Sequence, residues 1–258
     1  MPVHCTIEDA VARLTLDEPG RKNAMTPELG DALQARVAQL KQNPAVRAVV
    51  LHGAGGTFSG GGDLSMLERL RSVTPDESRA FMRSFYARYL SVLDLEVPTI
   101  AVVEGAAIGA GFCLSLACDQ LVVEDTAKLA LNFVQLGLHP GMGATYLVPF
   151  RTSPQTAARL LLGGERFDGR AAQAFGFTSH VTPAGEALPR GVELARSLAA
   201  QAPLAVRALK RSLGPDREAL ERCLEEEARQ QSISYASADM AEGLAAAAAR
   251  RAPVFTGR

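Results

Sequence analysis

No metal-ligand pattern can be found in this sequence. Its four cysteines (Cys5, Cys113, Cys118, Cys223) form no C-x-x-C pair, and its four histidines are scattered with no H-E-x-x-H spacing. A structural metal is therefore not expected, and the thiols are expected to stay reduced. Charge of either sign is not in excess: the net charge of −1 gives no electrostatic case for nucleic acid or an anionic membrane. No stretch approaches the ~18 uninterrupted apolar residues of a membrane span. The start, Met1-Pro-Val-His-Cys-Thr-Ile-Glu-Asp9, has no apolar h-region, so a cytoplasmic location is the expectation. A G-x-S-x-G elbow is missing too, and no histidine can be assigned to Ser59 or Ser115, which argues against a serine hydrolase.

What remains is an ordinary globular composition, 47% hydrophobic and 21% charged over 258 residues, ample for a core. Residues 3–16 alternate as a strand pair that closes at Asp17–Arg21. Thr26-Pro27 reads as an N-cap and first helical position, opening a helix to about Gln42. Ala45–Leu51 and Thr99–Val103 are apolar strands, with short strands at Leu121–Val123 and Leu129–Leu131. Helical spacing runs through 64–93, interrupted at Pro75, and returns at 109–117, 144–150, 154–162 and 168–175. This alternation predicts an α/β architecture with parallel pairing. Beyond residue 186 only helical patterns remain, ending in the alanine-rich run Leu244–Ala249.

Two glycine-rich turns carry the chemistry. One lies in Arg47-Ala-Val-Val-Leu-His-Gly-Ala-Gly-Gly-Thr-Phe-Ser-Gly-Gly-Gly-Asp-Leu64, the other in Pro98-Thr-Ile-Ala-Val-Val-Glu-Gly-Ala-Ala-Ile-Gly-Ala-Gly-Phe112. Such a turn between strand and helix leaves backbone N–H groups unpaired where the helix dipole favours negative charge. Two turns brought together aim two donors at one developing oxyanion. A dinucleotide fingerprint fails, because its third glycine position is Leu114 and no acid sits ~20 residues further on.

Around these turns the chain resembles the enoyl-CoA hydratase/isomerase (crotonase) superfamily. The likeness rests on Arg21-Lys-Asn-Ala-Met25, Phe58-Ser-Gly-Gly-Gly-Asp-Leu64, Pro98 through Cys118-Asp119, and Leu136-Gly-Leu-His-Pro-Gly-Met-Gly-Ala144. It continues in Gly169-Arg-Ala-Ala-Gln-Ala-Phe-Gly-Phe177, Glu242-Gly243 and Arg250–Gly257, in order along nearly the whole chain. The resemblance implies a spiral of ββα units over residues 1–190 and a helical C-terminal subdomain over 191–258 that mediates a homotrimer or dimer of trimers. It implies a lyase or isomerase of fatty acid metabolism acting on an acyl-CoA, with coenzyme A entering as part of the substrate and no separate cofactor. Gly62 and Ala110 fall on the two positions whose N–H groups bind the thioester oxygen. Arg21, Lys22 and Ala24, with Ser59, Gly60, Gly61, Asp63 and Leu64, fall where the family lines the CoA moiety. Arg250 and Arg251 fall where basic residues meet CoA phosphates.

The departures matter as much. The two hydratase glutamate positions hold Cys113 and Phe133, and a third carboxylate position, used by several isomerases and a dehalogenase, is Gly141. Losing two positioned acids or bases removes ~5–11 kcal/mol of transition-state stabilisation, so hydration is disfavoured. Decarboxylation of a malonyl-type thioester needs no base, and double-bond migration needs one proton carrier. His139 is the preferred carrier, with Cys113, one turn beyond Ala110, as a second candidate set against a buried structural thiol. Asp63 reads as a helix cap, and His52 as a packing or hydrogen-bonding residue. Phe81, Phe85 and Tyr86 either line an acyl pocket or pack the core. Two alternatives stand beside this reading: a catalytically silent acyl-CoA-binding protein, and an enzyme acting on acyl-carrier-protein thioesters.

Overall fold

Local chemistry sets the first elements of the computed structural model, which describes residues 2–258. β1 (Val3–Glu8) and β2 (Val11–Leu16) form a hairpin whose two loop residues, Asp9 and Ala10, take φ of 50° and 63°. α1 (Pro27–Lys41) starts where the Thr26 hydroxyl accepts the Leu29 N–H. β3 (Ala48–Gly53) then enters the first glycine turn. The helical stretch after it divides into α2 (Leu64–Leu70), capped by Asp63, and α3 (Pro75–Leu90), opened by a Thr74/Glu77 capping box.

β4 (Thr99–Val103) and β5 (Ala106–Ile108) lead through the second glycine turn into α4 (Ala110–Leu116). β6 (Gln120–Glu124), β7 (Lys128–Ala130) and a short 3-10 turn at Phe133–Leu136 precede α5 (Ala144–Arg151) and α6 (Pro154–Gly163). β8 (Arg166–Phe167), α7 (Gly169–Ala174) and β9 (His180–Thr182) complete the mixed region. The rest is helical: α8 (Ala187–Ala199), α9 (Pro203–Leu213), α10 (Arg217–Tyr235) and α11 (Ala238–Ala249).

The strands sort into a six-stranded sheet, β1-β2-β3-β4-β6-β9, parallel apart from the β1–β2 hairpin, and a small sheet, β5-β7-β8. The chain thus repeats one move: a strand in the large sheet, a strand in the small sheet, then helix. β4-β5-α4 shows it most plainly, and β3 repeats it with Ser59, bridged to Ala107, in place of the second strand.

One face of the large sheet carries the main core, and the other is covered by α8. Val11, Ala48, Val50, Ile100, Val102 and Val122 meet Ala187, Ala195 and Ala199 there. A Cβ at Gly191 would fall 2.3 Å from Val102, so small residues let α8 lie flat on the strands. Residues 190 and 191, where the sequence suggested a division, therefore sit inside a helix that belongs to the sheet. Among the described residues no helix is long and apolar enough to cross a membrane.

Candidate active site

The two glycine turns adjoin because their backbones bond to each other. Ser59 N–H donates to Ala106 O at 3.0 Å, and Ile108 N–H donates to Ser59 O at 3.1 Å. Gly61 takes φ +90°, and a Cβ there would lie 2.5 Å from Ile108 O and 4.0 Å from Ala110 N. A Cβ at Gly111 would lie 2.7 Å from the Ser59 Cβ. Only glycine permits so close an approach. Ala110 is the first residue of α4, so its N–H has no intrahelical acceptor. Among the described residues neither it nor the Gly62 N–H donates to another protein atom. Both residues line one cavity of about 220 Å³.

Gly60, Gly61 and Leu64, expected to line CoA, and Phe133, expected among the substrate-binding residues, also line this cavity, together with Phe85 and Tyr86 from α3. Phe81 does not; it packs against the core from a half-buried position. Sequence reasoning missed Asn132, Met142, Gln231 and Tyr235, all of which line the cavity. The signal for the last two was present on α10, where buried positions recur as Leu220, Leu224, Glu227, Gln231 and Tyr235. Polar residues on an inward stripe need partners inside.

His139 and Cys113, the expected proton carriers, are not in the cavity wall. The His139 ring lines a separate outer groove with Thr145, Leu162 and Phe255, and its Nδ1 lies 2.7 Å from Pro140 O. Cys113 is fully buried; burial, reinforced by the Glu227 charge, pushes its thiol well above the usual range, so it packs as an apolar side chain. At the other hydratase position the Phe133 ring lies against the second turn, 3.8 Å from where a Gly109 Cβ would be.

The third position, Gly141, has no room for an acid. A Cβ there would stand 2.6 Å from Tyr86 Oη and 2.7 Å from Gln231 Nε2. These two side chains form a fixed chain: Gln231 Nε2 donates to His139 O at 2.9 Å, and Tyr86 Oη donates to Gln231 Oε1 at 2.7 Å. Burial, with Glu227 nearby, pushes the Tyr86 phenol well above its ordinary value.

The residues expected to line CoA are spread from the buried Ser59 to the exposed Arg21, Lys22 and Arg251. Arg21 and Lys22 are exposed and Ala24 is half-buried. Arg21 reaches Asp63 at 2.6 Å, and Asp63 Oδ1 caps α2 by accepting the Met66 N–H at 2.9 Å. Partial burial opposes the Asp63 charge, yet hydrogen bonds from Ser65, Met66 and Arg21 hold its carboxyl below the usual range. Ser59 is fully buried and donates to Asn23 O at 2.8 Å, so it ties the loops together. Arg251 is exposed and forked onto Glu242 at 2.5 and 2.7 Å, while Arg250 caps α11 in the left-handed region. His52 is buried, lies 2.9 Å from the Thr15 hydroxyl, and is driven by burial down to about 4.

Paired glycine turns set between a large, mostly parallel sheet and a small second sheet, over a shared, mostly apolar cavity, define an enzyme of the crotonase superfamily. The family model for enoyl-CoA hydratase/isomerase matches residues 6–258, and the chain belongs to that family. It is 37% identical over 199 residues to the probable enoyl-CoA hydratase EchA14 of Mycobacterium tuberculosis, spanning 77% of this chain and 76% of that one. It is 32% identical over 226 residues to the bacillaene synthase decarboxylase PksI of Bacillus subtilis, spanning 86% of this chain and 87% of that one. Among solved structures, the enoyl-CoA hydratase/isomerase of Pseudoalteromonas atlantica T6c superposes with a TM-score of 0.87 at 27% identity, covering 99% of this chain and 100% of that one.

Proposed function

We propose that this enzyme decarboxylates a malonyl-type acyl-CoA thioester, with the Gly62 and Ala110 N–H groups holding the enolate oxygen. One observation carries the reading: among the described residues lining the cavity there is no Asp, Glu, His, Lys or Arg. Loss of CO₂ breaks the bond between the carboxyl carbon and Cα, and its electron pair passes into the thioester carbonyl. That step forms the enolate without a base, and solvent returns a proton to Cα. An apolar wall of Met66, Leu67, Phe85 and Phe133 also weakens hydration of the departing carboxylate.

Isomerisation ranks second, because it needs one group to carry a proton between carbons. Only the phenols of Tyr86 and Tyr235 are at hand, and burial raises both far above neutrality. Hydration ranks last, since neither Cys113 nor Phe133 can orient and deprotonate water. The likeness to PksI, a decarboxylase by name, is compatible with decarboxylation. A carrier-protein thioester is the second reading of the substrate, favoured by the closed pairing of Arg251 with Glu242 in place of a free guanidinium. A homo-oligomer fits the exposed leucines of α9, Leu204, Leu209 and Leu213.

The test is incubation with malonyl-, enoyl- and 3-hydroxyacyl-CoA esters in deuterated water, read by mass spectrometry. Loss of CO₂ with deuterium at Cα is expected from malonyl-type esters. Water added to enoyl esters would overturn the reading, and binding without any conversion would mark a silent thioester-binding protein.

A further inference from the structure

Helix α10 gives the cavity more than apolar surface. Glu227, Gln231 and Ser234 stand at i, i+4 and i+7, on one face. Each bonds to the backbone of residues 139–145, the segment that carries Gly141 and Met142 into the cavity wall. Ser234 Oγ accepts the His139 N–H at 3.1 Å, and Gln231 Nε2 donates to His139 O at 2.9 Å. Glu227 Oε2 accepts the Gly143 N–H at 2.7 Å, and its Oε1 accepts both the N–H and the hydroxyl of Thr145 at 2.8 Å.

Glu227 is the unusual member. It is 1% exposed, and among the described residues no cation pairs with it. What faces it is Cys223 on its own helix, Tyr86 on α3, Cys113 on α4 and Thr145 on α5: thiols, a phenol and a hydroxyl. A buried carboxyl group in such company needs hydrogen bonds for its oxygens. The start of α5 supplies them. Gly143 is the N-cap residue of α5, has φ +74°, and offers no side chain to satisfy the first-turn N–H groups. Glu227 does so from a different helix.

We propose that Glu227 is a positioning residue: by capping α5 from α10 it fixes the Gly141–Met142 wall, and so sets how tightly an acyl group is held beside the Gly62 and Ala110 amides. The acyl-binding half of this statement rests on the thioester reading above; the capping half does not. The same stripe holds Gln231 against Tyr86, whose hydroxyl crowds Gly141 from the other side.

Two variants of the full-length protein test it, Glu227→Gln and Thr145→Val, the second removing only one hydroxyl from the carboxylate. Hydrogen exchange read by mass spectrometry should show at least tenfold faster exchange in the peptide spanning 139–147 of Glu227→Gln. Peptides from β4 and α8 should be unchanged. Calorimetric titration with hexanoyl-CoA and with CoA should show the affinity ratio of the two falling at least tenfold, with CoA affinity unchanged. Unaltered exchange over 139–147 with an intact ratio overturns the proposal, as does a uniform speed-up along the whole chain. Should Glu227→Gln fail to fold, Thr145→Val decides by the same readouts, with smaller shifts. A wild-type protein that binds neither hexanoyl-CoA nor CoA overturns the thioester reading, and the exchange data then judge Glu227 alone.

Discussion

Replacing Gly62 by proline removes one N–H from the cavity wall while leaving the Gly61 carbonyl to accept from Met25 at 2.8 Å. Loss of one oxyanion donor is expected to lower kcat by ~10²–10³-fold, with CoA affinity largely kept; full turnover in this variant would remove Gly62 from its assigned role. Gly141→Ala tests the crowding around Tyr86 and Gln231. The added Cβ has nowhere to go, and thermal unfolding should show a loss of ~1–3 kcal/mol. Glu227 makes a pH prediction. Burial raises its carboxyl to about 7, against the opposing hydrogen bonds from Thr145 and Gly143. The folded state therefore holds a proton that the unfolded chain releases nearer ~4.3. The stability of the neutral form is fully present below that unfolded value and is lost as pH climbs to about 7, a change on the order of 4 kcal/mol. Glu227→Gln should flatten this part of the melting-temperature profile between about pH 4 and pH 7; an unchanged slope would contradict it.

α8 owes its place to small side chains, so Gly191→Val, driven into Val102, should destabilise the fold by ~1–3 kcal/mol as read by denaturant unfolding. Most such elements could be read from the sequence, because their signals are local. Thr26-Pro27 and Asp63 announced their helices, and the apolar runs Ala45–Leu51 and Thr99–Val103 announced central strands, the first of which is observed at Ala48–Gly53. β5, β8 and β9 escaped because they carry no leucine-rich apolar run such as the Leu129–Leu131 stretch that announced β7, and exist through pairing with β7 and β6. The cavity was legible in the same uneven way. Its glycine turns are local signals, and they adjoin. Gln231 and Tyr235 reach it from more than a hundred residues away, and His139, nearer in sequence, has a side chain that its own backbone pairing sends to the outer groove. Contact order, not residue type, decided which parts could be anticipated.

Over the whole chain the distribution of exposed apolar surface is uneven. α9 buries none of its residues, and Leu204 and Leu213 are 80% and 74% exposed. A homo-oligomer using this face predicts that Leu204→Asp with Leu213→Asp lowers the solution mass in light scattering while leaving the far-UV circular dichroism of the protomer intact. An unchanged mass would place any interface elsewhere.

The contact of Gly61 with Ile108 has one more consequence. The spacing of the two amides is set by main chain resting on main chain at Gly61 and Ile108, and by the small, buried Ser59 side chain against Gly111. Phe133 and Met142 shape the surrounding chamber but take no part in the Gly61–Ile108 contact. Under the proposed reading, substitutions at those positions would redirect the chemistry while leaving the two proposed donors in place.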